Sequence, residues 1–444
     1  MPTLVDILLT PLLVAWGTQA VLSALQARKL RNRLQRHERK AYAEYRPPAA
    51  VIVPFKGAEP RLEDALDRLF TQDYPDYRLL LVVESEADPA YGPLQQAMAR
   101  HPGRRAELII AGEAGPRQGQ KLHNQLAAIA RLSGGERDDA SVVGGVGAGD
   151  GDAPLPGAGE LPGGVWVFAD SDAVPGPTWL ADMVGPLSQE RTGVTTGYRW
   201  LVPEGEPRGT CWSRLASVMN ASVACLMNGR ERLFTAWGGS MAMRADFARQ
   251  HDLVGRLTGA ITDDYPVTRM CREADRRVYF VSDALVATPV DFDRRAFLNF
   301  VYRQYLITRV YAPRLFLGAL VVTWLYVLGF AATWVRLGQA ASQLAAGDAA
   351  LMTWLRLAFC MLLLSVVIVS DQLRASYRAA AVREAFDRST VGQLQRTIRL
   401  DRWATPLWMT LHALLVLRAA FGRTMRWRGI RYRLRGPQDV QKNP

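Results

Sequence analysis

The chain is poor in the residues on which many small sites depend. Its four cysteines, Cys211, Cys225, Cys271 and Cys360, are scattered through 444 residues. None has metal or redox spacing, so they read as reduced packing residues. No nucleic-acid motif accompanies the formal charge of +12, which suits anionic lipid headgroups or a diphosphate-bearing small molecule. No basic region precedes the first apolar block, residues 7–25, and no small-x-small cleavage site follows it. With Arg28, Lys29, Arg31, Arg33 and Arg36 behind it, the block reads as a signal anchor. Charge is absent from residues 315–335, and residues 351–370 hold only Arg356. Both are predicted to span a membrane.

The positive-inside rule then puts residues 28–40 and 374–402 on the cytoplasmic side and the link 338–350 outside. Residues 404–421 contain His412 and Arg418. If they spanned, the basic stretch 423–435 would lie on the wrong face, which favours an interfacial or re-entrant helix. The expected organisation is an anchor at 1–27, a basic juxtamembrane linker at 28–47 and an α/β domain at 48–312. Two membrane helices follow within 313–371, then a basic cytoplasmic segment at 372–403. An interfacial or transmembrane helix at 404–422 precedes a basic tail at 423–444. A glycine-rich stretch at about 133–164 reads as a flexible surface insertion.

What is present centres on residues 165–172, an apolar run that stops at Asp170-Ser171-Asp172. Its length and β-branched content predict an inner strand of a parallel sheet. The carboxyl ends of such strands border the ligand crevice of an open α/β sheet, and two hard oxygen ligands there suit Mg²⁺ or Mn²⁺ completed by phosphate oxygens. Earlier in the chain, residues 49–54 predict a strand ending in Pro54-Phe55-Lys56-Gly57. Leu62, Ala65, Leu66, Leu69 and Phe70 fall at helical spacing, and residues 79–83 predict a second strand. Right-handed crossover makes these strands parallel neighbours. Glu84, Glu86 or Asp88 then follows within reach of a base or ribose. A third strand at 108–111 leads to a basic loop, 115–124, where Lys121 is a candidate diphosphate contact.

Further on, residues 194–200 predict a strand with Tyr198 and Trp200 near the crevice, and residues 212–227 a helix apolar around most of its circumference. Gly238 and Gly239 mark a close approach of backbone to something. Asp263 and Asp264 precede a helix at 267–273, where a carboxylate either caps the helix or accepts a proton. Arg303, Gln304 and Arg309, among tyrosines just before the first predicted membrane helix, are candidates for holding a leaving diphosphate or anchoring to headgroups.

Taken in order, the Pro-Phe-Lys-Gly segment, Gln72-Asp73-Tyr74-Pro75, the Gly-Gln-Lys-Leu-His-Asn segment ending at Asn124, Asp170-Ser171-Asp172, Gly238-Gly239-Ser240-Met241 and Thr262-Asp263-Asp264-Tyr265 resemble the family 2 glycosyltransferases. Within them the set is most similar to the ceramide glucosyltransferase branch, and residues 427–432 resemble the close of related membrane transferases. The resemblance implies a GT-A fold with a mostly parallel sheet, a UDP-sugar donor, Mn²⁺ or Mg²⁺, a lipid acceptor such as ceramide, and inversion at the anomeric carbon. It makes Asp172 a metal ligand, with Asp170 contacting the metal shell or the donor ribose. Asp264 becomes the base, supported by Asp263. Pro54, Lys56, Glu84 or Glu86, Lys121, Asn124, Gly238, Gly239, Arg303, Gln304 and Arg309 fall to donor binding. A Gln-x-x-Arg-Trp signature is absent as written. Transfer to another lipid, polymer synthesis and a non-catalytic sugar-nucleotide scaffold are the alternatives.

Overall fold

The computed structural model describes residues 4–36, 42, 44–59, 61–134, 164–205, 209–227, 235–348 and 350–443. Most of the expected glycine-rich insertion, 135–163, lies outside them, as do 37–41 of the expected linker. In chain order, α1 (Leu4–Arg36) is followed by β1 (Ala49–Pro54), α2 (Leu62–Phe70), β2 (Tyr77–Val83), α3 (Tyr91–Arg100), β3 (Ala106–Ile110), α4 (Gln120–Leu132), β4 (Val165–Ala169), α5 (Trp179–Val184) and β5 (Thr192–Pro203). Then come α6 (Cys211–Leu226), β6 (Ser240–Arg244), α7 (Ala245–Gln250), α8 (Leu253–Leu257), α9 (Asp264–Glu273) and β7 (Arg277–Val290). Helices α10 (Arg294–Tyr311), α11 (Pro313–Ala345), α12 (Leu351–Ala385), α13 (Arg388–Trp403) and α14 (Thr405–Ala419) precede strands β8 (Thr424–Trp427), β9 (Ile430–Gly436) and β10 (Asp439–Asn443).

These elements form two compact units. The α/β unit comprises Arg36–Glu204, Leu226–Asp291 and Arg423–Pro444; the helical unit comprises Met1–Gln35, Gly205–Cys225 and Phe292–Gly422. The α/β unit is built on a seven-stranded sheet of order β3-β2-β1-β4-β6-β5-β7. Only β6 runs antiparallel to its neighbours β4 and β5, and the other pairs are parallel. This is the mixed, mostly parallel sheet of the expected GT-A architecture. β1 and β4 are buried along their whole length, as their unbroken apolar sequence requires of strands covered on both faces. α2 buries the five apolar residues whose spacing predicts it. Its end is held by Gln72, whose amide donates to the carbonyls of Arg68 and Gly176 and accepts from the Leu180 N–H.

A second, three-stranded sheet of order β10-β9-β8 lies in the same unit, where the sequence suggested only a basic tail. Met425, Tyr432, Leu434 and Val440 are buried, while Arg426, Arg431, Arg433 and Arg435 are exposed. The arginines form one face of a ribbon with a period of two. The ribbon is anchored at its β10 edge and at the turn before it: the Lys442 N–H donates to Pro116 O at 2.8 Å, and the Gln438 amide donates to Gly255 O at 2.8 Å.

In the helical unit α1 does not stop at residue 27. It continues to Arg36 because Ala27, Leu30 and Leu34 stay buried on one face. Trp16 packs edge-on against Tyr326 at 5.9 Å, and Gly329 lies so close to Trp16 that any side chain there would overlap it. α11 and α12 are long and apolar enough to cross a membrane. Helix α12 runs past the expected end of the second membrane segment. The charges that follow are satisfied internally: Arg374 pairs with Asp371 and with Asp401 at 3.2 Å, and Arg378 with Asp401 at 3.1 Å.

Candidate active site

The site forms where β4 ends and β6 begins. Because β6 is antiparallel, Ser240 sits opposite Ala169, so the loop entering β6 meets the turn leaving β4. That loop is fixed by three successive amides. Ala236 N–H donates to Thr268 Oγ1 at 2.8 Å, Trp237 N–H to Thr196 Oγ1 at 3.0 Å, and Gly238 N–H to Asp264 Oδ1 at 2.6 Å. Gly239 O in turn accepts from the Asp170 N–H at 3.2 Å. Both glycines are sterically required, since a Cβ on Gly238 would overlap the Asp263 carboxylate and one on Gly239 would meet Trp237 and Asp170. The close approach expected of this pair is therefore to the site's own carboxylates.

Asp263 is almost fully buried, at 1% exposure. It occupies the N-cap position of α9 but caps no backbone amide with its side chain. Its Oδ2 instead accepts from Gln125 Nε2 at 2.7 Å and lies 3.2 Å from Lys121 Nζ. Lys121 also reaches Asp170 at 2.7 Å. Burial alone would discharge this ammonium, but Asp170, Asp263 and Asp264 together outweigh it and hold lysine charged well above its ordinary range. Burial, followed by the charge of Asp263, raises the Asp264 carboxyl to about 7 against the opposing pull of Lys121 and the Gly238 N–H. Asp264 is thus a carboxylate poised near neutrality, held by a backbone amide beside a fixed acid–lysine pair.

Asp170 and Asp172 leave β4 on one turn. Among the described residues no group of three or more His, Cys, Asp and Glu side chains could hold a metal ion. A pair of carboxylates fits a hard divalent cation that takes its remaining ligands from water and phosphate.

At the carboxyl ends of β1 and β2 a cavity of about 350 Å³ is lined by Lys56, Gly57, Glu84, Asp88 and Arg428 among others. Lys56 pairs with Glu84. Asp88 accepts from the Gly57 and Ala90 amides, each at 2.9 Å, which makes it a brace for the left-handed Gly57 turn (φ 78°). Pro54 is buried at the end of β1, and Glu86 is exposed beside Tyr91. Of the three acids that follow β2, Glu84 and Asp88 line the cavity and Glu86 does not.

Two expectations need correction. Asn124 is fully buried and donates to Phe55 O at 3.1 Å and Val82 O at 3.4 Å while accepting from Gln120 at 2.8 Å. Its amide ties β1 to β2 and has no free face for a donor. Arg309 lies on α10 with Arg303 and Gln304, in the helical unit. Its guanidinium donates to the carbonyls of Ala420 and Gly422, closing the end of α14 as basic side chains do at helix C-termini. Gln125 and Glu59 escape the sequence reading, and Arg428 enters it only within the stretch 427–432, without a site role. Only Arg428 carried a signal, as a large residue before glycine in a two-residue hairpin.

Residues 12–131 match the model of glycosyl transferase family 21. Two ceramide glucosyltransferases are similar over short stretches. That of Komagataella phaffii is 32% identical over 66 residues and that of Gibberella zeae 38% over 69; each match covers 15% of this chain and 13% of the relative. The matched region therefore spans about an eighth of either relative's length. Among solved structures, a mannosyltransferase from Pyrobaculum calidifontis in complex with GDP-Man and Mn²⁺ aligns with TM-score 0.43 and 16% identity, over 93% of this chain and 97% of that one. Glucosyl-3-phosphoglycerate synthase from Mycobacterium tuberculosis aligns with TM-score 0.30 and 15% identity, over 57% and 75%. Over residues 12–131, from α1 almost to the end of α4, the chain carries the glycosyl transferase family 21 pattern.

Proposed function

We propose that the chain is an inverting, metal-dependent membrane glycosyltransferase that moves a hexose, glucose by its likeness to ceramide glucosyltransferases, from a UDP-sugar to the hydroxyl of a lipid such as ceramide. The observation that carries this reading is the convergence of Asp170, Asp263, Asp264 and Lys121, from three separate segments, on one rim of the sheet. Asp264 takes the acceptor proton as the acceptor oxygen bonds to the anomeric carbon, while the bond from that carbon to the diphosphate breaks and UDP leaves with the electron pair. A carboxylate near neutrality is well matched to that transfer. The Gly238 N–H orients it, and Asp263, fixed by Gln125 and Lys121, holds the start of α9 in place. Bound at Asp172 and Asp170, Mg²⁺ or Mn²⁺ would offset charge on the leaving diphosphate. The cavity of Lys56 and Glu84 receives the nucleoside end of the donor. α11 and α12 anchor the protein, with the α/β unit on the cytoplasmic side, where UDP-sugars and the arginine-rich segments belong.

The test is mass spectrometry of lipid products after the purified protein is incubated with ceramide, Mg²⁺ or Mn²⁺ and separate UDP-hexoses. One added hexose, lost with EDTA and in Asp264→Asn, is expected. A ladder of products would mark a polymerase, and no product from any donor would overturn the reading.

A further inference from the structure

We infer that Arg428 is a ligand for the donor's diphosphate and that Glu59 is the internal anion it exchanges for that diphosphate. The inference deepens the proposed function and rests on it. Arg428 belongs to the second sheet, far along the chain from every motif of the site. It nevertheless lines the same cavity as Lys56, Gly57 and Glu84.

It stands at the first of the two turn positions between β8 and β9, whose ends pair as Trp427 with Ile430. Its φ is 49° and that of Gly429 is 79°. Such a turn favours Asn or Gly at its first position, and a bulky side chain held there is an observed strain of the kind that collects at binding sites. The guanidinium is paired with Glu59, whose side chain is only 7% exposed against 35% for Arg428.

The position of Glu59 makes the pair more than a surface contact. The same oxygen, Oε1, accepts from Ser171 Oγ at 3.3 Å, and Ser171 is the residue between the two carboxylates of the β4 turn. Arg428 is therefore held, by one carboxylate oxygen, between the nucleoside-side cavity and Asp170-Ser171-Asp172. A diphosphate joining a nucleoside to a metal at that turn runs along the same line, and arginine's fork recognises phosphate and carboxylate alike. The other cation of the cavity, Lys56, is likewise neutralised, by Glu84. Asp88 is committed to backbone amides.

The exchange predicts effects of opposite sign. Calorimetric titration of UDP with Mg²⁺ into the full chain should show Arg428→Ala binding roughly 10- to 100-fold more weakly, as for loss of a charged hydrogen-bonded contact. Glu59→Gln frees the arginine and should bind UDP tighter by roughly three-fold or more. The double variant should behave like Arg428→Ala. If both single variants weaken UDP binding, or Glu59→Gln leaves it unchanged, the pair is a structural brace and the inference falls while the proposed function stands. If Arg428→Ala does not fold, the sign of the Glu59→Gln effect decides alone. A parent protein that binds no UDP at all overturns both.

Discussion

The ammonium of Lys121 lies 2.7 Å from the carboxylate of Asp170. Lys121 comes from the first turn of α4 and Asp170 from the end of β4, so one ion pair ties the basic loop to the acidic turn. Replacing Lys121 with methionine leaves Asp170 and the buried Asp263 facing each other without a cation. Such a change should lower unfolding free energy by about 2–4 kcal/mol, near the range for removing one partner of a buried pair. Adding Asp170→Asn should restore part of it. Denaturant unfolding in detergent measures both, and a methionine variant as stable as its parent would refute the arrangement.

Gly238 and Gly239 allow no side chain, since a Cβ on either meets the site's own carboxylates. Gly238→Ala must push Asp263 or the loop aside, so activity should fall at least 100-fold, with an overpacking cost of about 1–3 kcal/mol. Gly92 is the control. It lies in α3 with open space around it, and Gly92→Ala should stabilise by about 0.5–1 kcal/mol with activity unchanged. Parallel melting curves and product assays separate the two cases.

Asp264 carries a pH signature. Its carboxyl is raised to about 7 in the folded protein, against about 3.9 for a free aspartate. The folded state therefore holds this proton more tightly than the unfolded chain does. The stabilisation is complete below about pH 4 and is lost as pH rises to 7. Asp264→Asn, which loses nothing over that interval, should become steadily more stable than the parent from pH 4 to 7 and keep its lead above it. Melting temperatures in EDTA across that range check this, and an advantage that grew towards acid pH would contradict the assignment.

In the helical unit, Asp401 is buried and serves both Arg374 and Arg378. Asp401→Leu leaves the buried Arg378 without a carboxylate and Arg374 with Asp371 alone, and should cost about 3–5 kcal/mol. Combining it with Arg378→Met should recover part of the loss, a coupling that unfolding of the four proteins of a double-mutant cycle would measure.

Much of this architecture is written locally. Unbroken apolar runs mark β1, β2 and β4, and the five apolar residues of α2 fall on one face because a helix repeats every 3.6 residues. The acidic turn is legible because polar residues stop an apolar strand abruptly. What escapes is decided by distant partners. Nothing in residues 240–244 states that they run antiparallel between β4 and β5. Gln125 resembles any polar residue on α4 until Asp263 is placed beside it. The arginine alternation from Arg431 to Arg435 and the buried trio Ala27, Leu30 and Leu34 both carry periodicity, but dense positive charge makes each resemble a tail or a linker. Asn124 and Arg309 are misleading for the opposite reason. They stand where ligand contacts are expected, and their N–H donors go to backbone carbonyls.

The α/β unit is discontinuous in the chain, and its last segment, Arg423–Pro444, follows α10 to α14. A ribosome delivers these pieces in order. The seven-stranded sheet is complete once β7 has emerged, yet the partners of Gln120 and Glu113, Tyr432 and Lys442, arrive only after both apolar helices have been made. A chain arrested after α12 would hold the acidic turn and the lysine but lack Arg428 and the cavity wall it supplies. Order of synthesis thus keeps the cavity of Lys56 and Glu84 unfinished until α11 and α12 exist.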